Sequence, residues 1–79
     1  MSNLVNYKKA FVEALSLKSD FDFENLKYQS VDEWDSIGHM TLISNLEDTF
    51  EINIETDDIV DFSSYKKGLE ILKKYKVSI

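Results

Sequence analysis

The sequence contains no cysteine, no proline and only two glycines among its 79 residues. The absence of cysteine excludes a disulfide framework, a thiolate zinc site and a cysteine nucleophile. A fold this small without such staples must be stabilised by the packing of its secondary structure. Because proline and glycine are so scarce, its turns have to be built mainly from polar residues.

Long apolar runs are also missing. None approaches the roughly 20 residues needed to cross a bilayer, and the first ten residues, MSNLVNYKKA, lack the apolar core of a signal peptide. A chain of this length has no room for a second hydrophobic core. We therefore expect one monomeric, cytoplasmic domain over residues 1–79, with no membrane span.

The middle of the chain has no basic residue. Residues 30–62 carry ten acids and neither lysine nor arginine, a net charge of −10, whereas residues 1–29 are neutral and residues 63–79 carry +4. Such a segment repels nucleic acid, whose phosphates need cationic partners. It attracts a basic surface, so the charge pattern predicts docking to another protein rather than nucleic-acid binding.

Apolar residues at helical spacing predict four helices, within residues 2–17, 36–50, 56–62 and 63–76. The residues expected on their apolar faces are Leu4, Val5, Phe11, Val12, Leu15, Leu42, Ile43, Leu46, Phe50, Tyr65, Leu69 and Leu72. Ile52 and Ile54 alternate like a strand, but one strand would lack a partner, so they are interpreted as a connector. The predicted fold is all-α, a four-helix bundle with a short third helix and a long loop between helices one and two.

Polar residues at the predicted helix starts are candidate caps. They are Ser2 or Asn3 for the first helix, Thr56 for the third, and Ser63 or Ser64 for the last. The lysines of the last helix gather toward its C-terminal end, where they complement the helix dipole.

The loop over residues 18–35 has no sustained helical period but carries many apolar side chains, which indicates that it packs against the core. These are Phe21, Phe23, Leu26, Tyr28, Val31 and Trp34. Its acids resemble a calcium-binding loop only superficially, because Asn25 and Val31 stand where that pattern needs glycine and glutamate. We predict no metal site there.

Ser36, at the start of the second helix, has two interpretations. Asp and Ser are favoured N-caps, worth about 1 kcal/mol, so Ser36 can be a cap and nothing more. However, Gly38 in the first turn costs about 1 kcal/mol relative to alanine, and its missing side chain would clear space beside Ser36. A helix N-terminus also favours a bound phosphate, which would suit a phosphodiester at Ser36.

The stretch from Asp35 to Ile54, DSIGHMTLISNLEDTFEINI, resembles the signature of the acyl carrier protein family. The similarity includes Asp-Ser-aliphatic at the opening of the second helix and the ending Glu-x-x-Phe-x-Ile-x-Ile. It extends over the whole chain in length, helix order, the long first loop and the acidic third helix. The Asp35–Ser36–Ile37 triplet is weak alone but specific in this position and context.

The resemblance implies that Ser36 receives 4′-phosphopantetheine from coenzyme A, transferred by a separate magnesium-dependent synthase, a phosphopantetheinyl transferase. The thiol of that arm would carry an acyl thioester for partner enzymes of fatty-acid, polyketide or related lipid biosynthesis. Asp35 would aid recognition by the transferase, and Ile37 and Met40 would form an apolar docking patch. The acids implied to meet basic residues of partner enzymes are Glu47, Asp48, Asp57 and Asp58.

The sequence departs from housekeeping fatty-acid carriers at three positions. Gly38 and Thr41 stand where those carriers usually have acids, and Trp34 replaces a smaller aliphatic residue. Fewer acids beside the attachment site should weaken recognition by general fatty-acid enzymes. These departures favour a specialised carrier.

Other functions remain to be weighed against an acyl carrier. An aminoacyl or peptidyl carrier loaded by an adenylating ligase fits the same motif, and an unmodified acidic interaction module fits the same fold. An enzyme is disfavoured because no base, nucleophile pair, metal site or phosphate loop is recognisable. His39, the single histidine, is expected on the exposed side of the second helix, too close along that helix to form a triad with Ser36.

Overall fold

Four α-helices account for most of the chain in the computed structural model, which describes residues 3–18 and 21–78. They are α1 (Asn3–Leu15), α2 (Ser36–Phe50), α3 (Thr56–Asp61) and α4 (Tyr65–Lys74). A 3-10 turn spans Phe23–Asn25, and the described residues contain no strand, only an isolated antiparallel bridge between Lys27 and Ser64. The predicted all-helical chain, with its short third helix, long first loop and irregular connector at residues 52–55, is confirmed.

The helices enclose one aromatic-rich core. The Cα radius of gyration is 11.3 Å, close to the roughly 11.6 Å expected for a compact chain of this length. On α1 the buried residues are Tyr7, Ala10, Phe11 and Leu15. Leu4 and Val5 are instead exposed, so their predicted place on the core face was wrong. The face is rotated because two large rings, Tyr7 and Phe11, stand one turn apart and pack together.

A close approach fixes α1 against α4. The Tyr7 hydroxyl donates a 2.7 Å hydrogen bond to the backbone carbonyl of Tyr65. A Cβ on Gly68 would overlap the Tyr7 hydroxyl and the ring of Phe62. Desolvation in the core raises the pKa of the Tyr7 hydroxyl, and the neighbouring Tyr65 raises it further. Gly68 therefore allows α1 and the end of α3 to meet α4.

Helix α2 buries Leu42, Ile43 and Leu46 as predicted, and packs along α1. It ends at Glu51, which takes the left-handed conformation with φ 54° and donates its N–H to the carbonyl of Glu47. The Glu47 carboxylate then accepts the backbone N–H of Ile54 at 2.8 Å. This acid thus helps to turn the chain from α2 toward α3.

The loop before α2 is packed down, as its apolar residues predicted. Phe23, Leu26 and Trp34 are buried, whereas Tyr28 stays at the surface. The backbone N–H of Tyr28 donates to the Ser63 carbonyl, and that of Tyr65 donates to the Leu26 carbonyl. The loop is therefore anchored to the start of α4.

The predicted N-cap is confirmed for α4 but not for α3. The Ser64 hydroxyl caps α4 by accepting the N–H of Lys67 at 3.0 Å, so Ser64 rather than Ser63 is the cap. Thr56 was the wrong cap for α3, because it is already the first helical residue after Glu55, whose side chain makes no capping bond. Asn3 is likewise inside α1, and Ser2 lies outside the described residues.

Candidate functional site

The first turn of α2 settles how Ser36 relates to its helix. The N-cap is Asp35, whose Oδ1 accepts the backbone N–H of Gly38 at 2.8 Å. Ser36 is the first helical residue, its side chain is exposed, and its hydroxyl makes no hydrogen bond within residues 3–18 and 21–78. The helix therefore begins without help from the Ser36 hydroxyl, and the interpretation of Ser36 as a cap is wrong.

Gly38 has a different role from the one its sequence position suggested. A Cβ at this position would overlap the backbone carbonyl of Glu33 and would stand 3.1 Å from Cδ2 of Leu15. The missing side chain makes room for the loop that leads into α2, rather than clearing space beside Ser36. Gly38 thereby lets the backbone at Glu33, three residues before Ser36, pass close to the first turn of α2.

The electrostatics around Ser36 combine two opposing effects. The first-turn amides of a helix have no intrahelical acceptors and favour an anion, and Asp35 uses only that of Gly38. The Asp35 carboxylate itself opposes a second negative group. A phosphodiester at the Ser36 oxygen would face solvent at the positive end of a 15-residue helix.

Apolar side chains are exposed close to Ser36. Ile37 is 77% exposed and Met40 is 53% exposed, as their predicted docking role requires. Val60 on α3 is 76% exposed and was not singled out from the sequence. The sequence does indicate this exposure. Ile59 and Val60 are adjacent on a short helix and point in different directions, so one faces solvent when the other, Ile59, packs against the core.

The predicted docking acids do not form a uniform set. Asp48 and Asp57 are exposed and make no ion pair in the described part of the chain. Glu47 is half-buried, and one of its carboxylate oxygens is already bonded to the Ile54 amide. Asp48 and Asp57 are thus fully available to a basic partner, and Glu47 only through its remaining oxygen.

Asp58 was wrongly assigned to the docking face. Its side chain is only 7% exposed, and Oδ1 lies 2.7 Å from the Lys74 ammonium. Its other oxygen accepts the hydroxyl of Tyr75. The hydrogen bonds from Lys74 and Tyr75 hold the pKa of Asp58 below its usual value. Asp58 joins α3 to the end of α4 because an acid at this position can neutralise the lysine that packs on it.

His39 also lies elsewhere than expected. It is half-buried, and its ring lies beside that of Trp34, with the two ring planes inclined by 21° and the centroids 6.1 Å apart. Its Nδ1 is 2.9 Å from Nε1 of Trp34, and its Nε2 is 2.8 Å from the carbonyl of Ile59. Helical spacing alone suggested an exposed position, but α3 folds over this face of α2. Beside the ring is a cleft of about 250 Å³, lined by Tyr28, His39, Ile59, Val60, Phe62 and Ser63.

The described residues contain neither a cluster of metal-ligating side chains nor a membrane-spanning helix. Over residues 3–18 and 21–78, no group of three or more His, Cys, Asp or Glu side chains is arranged to hold a metal ion. In the same ranges no helix has the length and apolar character needed to cross a membrane.

Comparison of the chain with protein-family models, with curated proteins and with solved structures finds no match. The likeness to acyl carrier proteins therefore stays a prediction from the sequence. A functional assignment has to be argued from the site around Ser36.

Proposed function

We propose that this chain is an acyl carrier protein that holds acyl groups as thioesters on a 4′-phosphopantetheine arm attached to Ser36. The main support is the state of Ser36: the hydroxyl is exposed and makes no hydrogen bond to the described residues, while Asp35 performs the capping that would otherwise explain a serine there. A serine with no structural task, inside the motif Asp35–Ser36–Ile37, fits an attachment site.

The residues present fit such an arm. In the attachment reaction the Ser36 oxygen would lose its proton and bond to the phosphorus that carries pantetheine in coenzyme A. The P–O bond from that phosphorus to the nucleotide half would break, and the nucleotide half would leave with the bonding electrons while the proton passes to solvent or to a base of the transferase. A separate magnesium-dependent phosphopantetheinyl transferase performs this step. When bound, the arm supplies the thiol that the cysteine-free chain lacks. The first turn of α2 provides unpaired amides and a positive dipole end for the phosphodiester.

The exposed surface of α2 and α3 suits brief contacts with basic partner enzymes. Ile37 and Met40 on α2 and Val60 on α3 offer exposed apolar contacts, and Asp48 and Asp57 on the same two helices offer negative charge. Charge complementarity of this kind speeds encounter more than it strengthens binding. A shuttle that delivers its cargo and then leaves needs that balance.

Gly38 supports the proposal of a specialised carrier. Housekeeping carriers usually have an acid at this position, but here the backbone carbonyl of Glu33 occupies the space of any side chain. The departure is therefore tied to the path of the loop and to the buried Trp34 that precedes α2. We infer that a partner enzyme recognises the path that the backbone takes from Glu33 into the first turn of α2.

We also propose that the four helices form the bundle typical of carriers, with α3 as its short member. Support comes from contacts that join each helix to another: α1 packs on α2, Tyr7 bonds to α4, His39 bonds to α3, and Asp58 bonds to Lys74. A monomeric state and a cytoplasmic location complete the proposal.

The experiment that tests this function is the intact mass of the protein after incubation with coenzyme A, magnesium and a broad-specificity phosphopantetheinyl transferase. We expect a gain of one phosphopantetheinyl group in wild type and in Ser44→Ala, which removes an exposed serine from the same helix. Ser36→Ala should show no gain. Because the Ser36 hydroxyl makes no hydrogen bond to residues 3–18 or 21–78, this variant should keep its stability within about 0.5 kcal/mol.

The absence of any gain on folded wild type would overturn the proposal and leave an unmodified acidic interaction module. If the gain occurs, loading with amino acids against fatty acids by adenylating ligases separates an aminoacyl or peptidyl carrier from an acyl carrier.

A further inference from the structure

The cleft beside His39 begins one helical turn from Ser36. The two residues are three apart on α2, and residues with this spacing are neighbours on the surface of a helix. One turn advances a helix by only about 5.4 Å. A flexible arm attached to Ser36 can therefore fold back along α2 and place its free end in the cleft.

The size of the cleft limits what it can hold. Its volume is about 250 Å³, which is below the roughly 300–1,000 Å³ of pockets that hold drug-sized ligands. A water molecule occupies about 30 Å³ in the liquid, so the cleft has room for about eight groups of that size, such as methylenes. It therefore suits a short acyl chain better than a long one.

His39 stands between this cleft and the buried ring of Trp34. Nε2 of His39 lies 2.8 Å from the carbonyl oxygen of Ile59, and Nδ1 lies 2.9 Å from Nε1 of Trp34. Trp34 is fully buried and packs on Phe11. A chain that extended past His39 toward the core would have to break these hydrogen bonds, so they restrict the length of a bound chain.

The walls of the cleft combine apolar surface with two hydroxyl groups. Ile59, Val60 and Phe62 provide the apolar surface, and Tyr28 and Ser63 complete the lining. The hydroxyls of Tyr28 and Ser63 make no hydrogen bond to residues 3–18 or 21–78. The two residues are neighbours, because the backbone N–H of Tyr28 donates to the Ser63 carbonyl at 2.9 Å. In apolar ligand sites a few such polar groups set the orientation of the ligand.

We infer that this cleft binds the acyl group carried by the arm, and that this acyl group is short and bears a hydroxyl or keto substituent. The apolar walls cover the hydrocarbon, while the hydroxyls of Tyr28 and Ser63 bond to the substituent. A hydroxyl can donate to a keto oxygen and can also accept from another hydroxyl. The inference rests on the proposed attachment at Ser36 and adds the class of cargo.

The cleft can be tested without the arm, since the unmodified chain already contains it. The probes are the N-acetylcysteamine thioesters of 3-hydroxybutanoic acid and of butanoic acid, which differ by one hydroxyl, added to isotopically labelled protein. We expect the NMR signals of Ile59 and Val60 to shift with either probe. The hydroxylated probe should bind about two- to tenfold more tightly, as one additional net hydrogen bond provides.

Two variants remove the hydroxyls with little other change. Tyr28→Phe keeps the ring that contacts Trp34 and His39, and Ser63→Ala keeps the backbone carbonyl that accepts from residue 28. The preference for the hydroxylated probe should fall in each variant and vanish in the double variant. Ser44→Ala, on another part of α2, should keep it. Equal affinity of wild type for the two probes, or an unchanged preference in the double variant, would overturn the inference.

The loaded protein separates this inference from the proposed function. With 3-hydroxybutanoyl-coenzyme A as donor, the transferase should attach the loaded arm to Ser36, and nuclear Overhauser effects should join the acyl protons to Val60 and Tyr28. If no arm is attached, the proposed function fails, and the acyl cargo assigned to the cleft fails with it. If the loaded arm is attached but its acyl protons contact neither residue, the inference alone fails.

Discussion

At the scale of single residues, the N-terminal end of α2 depends on different roles of three neighbouring residues. Asp35 caps the helix, Gly38 lets the loop pass close to it, and Ser36 is left with an exposed hydroxyl. Each role follows from chemistry: a carboxylate that accepts a backbone N–H, a missing Cβ, and a hydroxyl without a hydrogen-bond partner among the described residues.

Gly38→Ala should destabilise the protein even though alanine is the better helix former. The gain in helix propensity is about 1 kcal/mol, but the new methyl group would overlap a backbone carbonyl that cannot swing away as a side chain can. Overpacking of this kind typically costs about 1–3 kcal/mol. We expect a net loss in the free energy of unfolding, measured by urea denaturation.

Ser44→Ala is the matched control for that change. Ser44 is exposed on the same helix, so alanine there should raise the free energy of unfolding by up to about 0.5 kcal/mol. If Gly38→Ala were as stable as this control, the loop would have an alternative path into α2.

At the scale of secondary structure, α3 cannot be explained by its own sequence. Six residues are far fewer than the roughly 12–15 that an isolated helix needs to be even marginally stable in water. Its carbonyl at Ile59 is bonded to His39 on one side, and Asp58 is bonded to Lys74 and Tyr75 on the other. The helix is thus held by tertiary contacts at both faces.

Asp58→Asn should lower the melting temperature at pH 7, and the difference from wild type should shrink in acid. The hydrogen bonds from Lys74 and Tyr75 lower the pKa of Asp58 in the folded state. The unfolded chain therefore takes up this proton at higher pH than the folded protein does. The stabilisation is full above the usual aspartate pKa of about 3.9 and is lost as the pH falls through the lowered folded value.

The partner group has the opposite dependence. The hydrogen bond to Asp58 raises the pKa of Lys74, so its contribution persists until the pH rises through that raised value. Melting curves of wild type, Asp58→Asn and Asp57→Asn at pH 7, 5 and 3 measure the effect. Asp57 is exposed in the same helix and serves as control. A similar, pH-independent loss in both variants would show that the Asp58 contacts do not stabilise the fold.

At the scale of the whole molecule, the charge is segregated along the chain and remains largely unpaired. Of the ten acids in residues 30–62, Asp58 alone makes an ion pair within the described residues. The two other ion pairs, Lys9–Glu13 and Lys67–Glu70, are exposed and lie within single helices. The acidic part of the protein therefore repels itself.

Raising the ionic strength, or adding magnesium, should raise the melting temperature. Salt shortens the range of repulsion between exposed charges, and for a domain of this size each kcal/mol regained raises the melting temperature by about 4–8 °C. The double variant Asp48→Asn, Asp57→Asn should have a higher melting temperature at low salt and a shallower salt dependence. An unchanged or lower melting temperature of wild type in salt would contradict the repulsion.

Much of this protein was determined by the sequence alone. Periodic apolar residues placed the helices, and α2 was predicted with its observed bounds, because regular apolar spacing is a local property. The motif around Ser36 and the acidic middle were equally readable from neighbouring residues. The apolar side chains of Phe23, Leu26 and Trp34 indicated a packed loop, because exposing large apolar side chains to water costs free energy.

Only the tertiary structure decided which polar groups are used inside the fold. Asp58 and Asp57 are adjacent acids of the same short helix, yet one is bonded to Lys74, sixteen residues away, and the other faces solvent. His39 and Gly38 likewise acquired their roles from α3 and from the Glu33 carbonyl, which pack on α2 from elsewhere in the chain. Pairings between distant elements depend on how the helices dock, and docking is a property of the whole core.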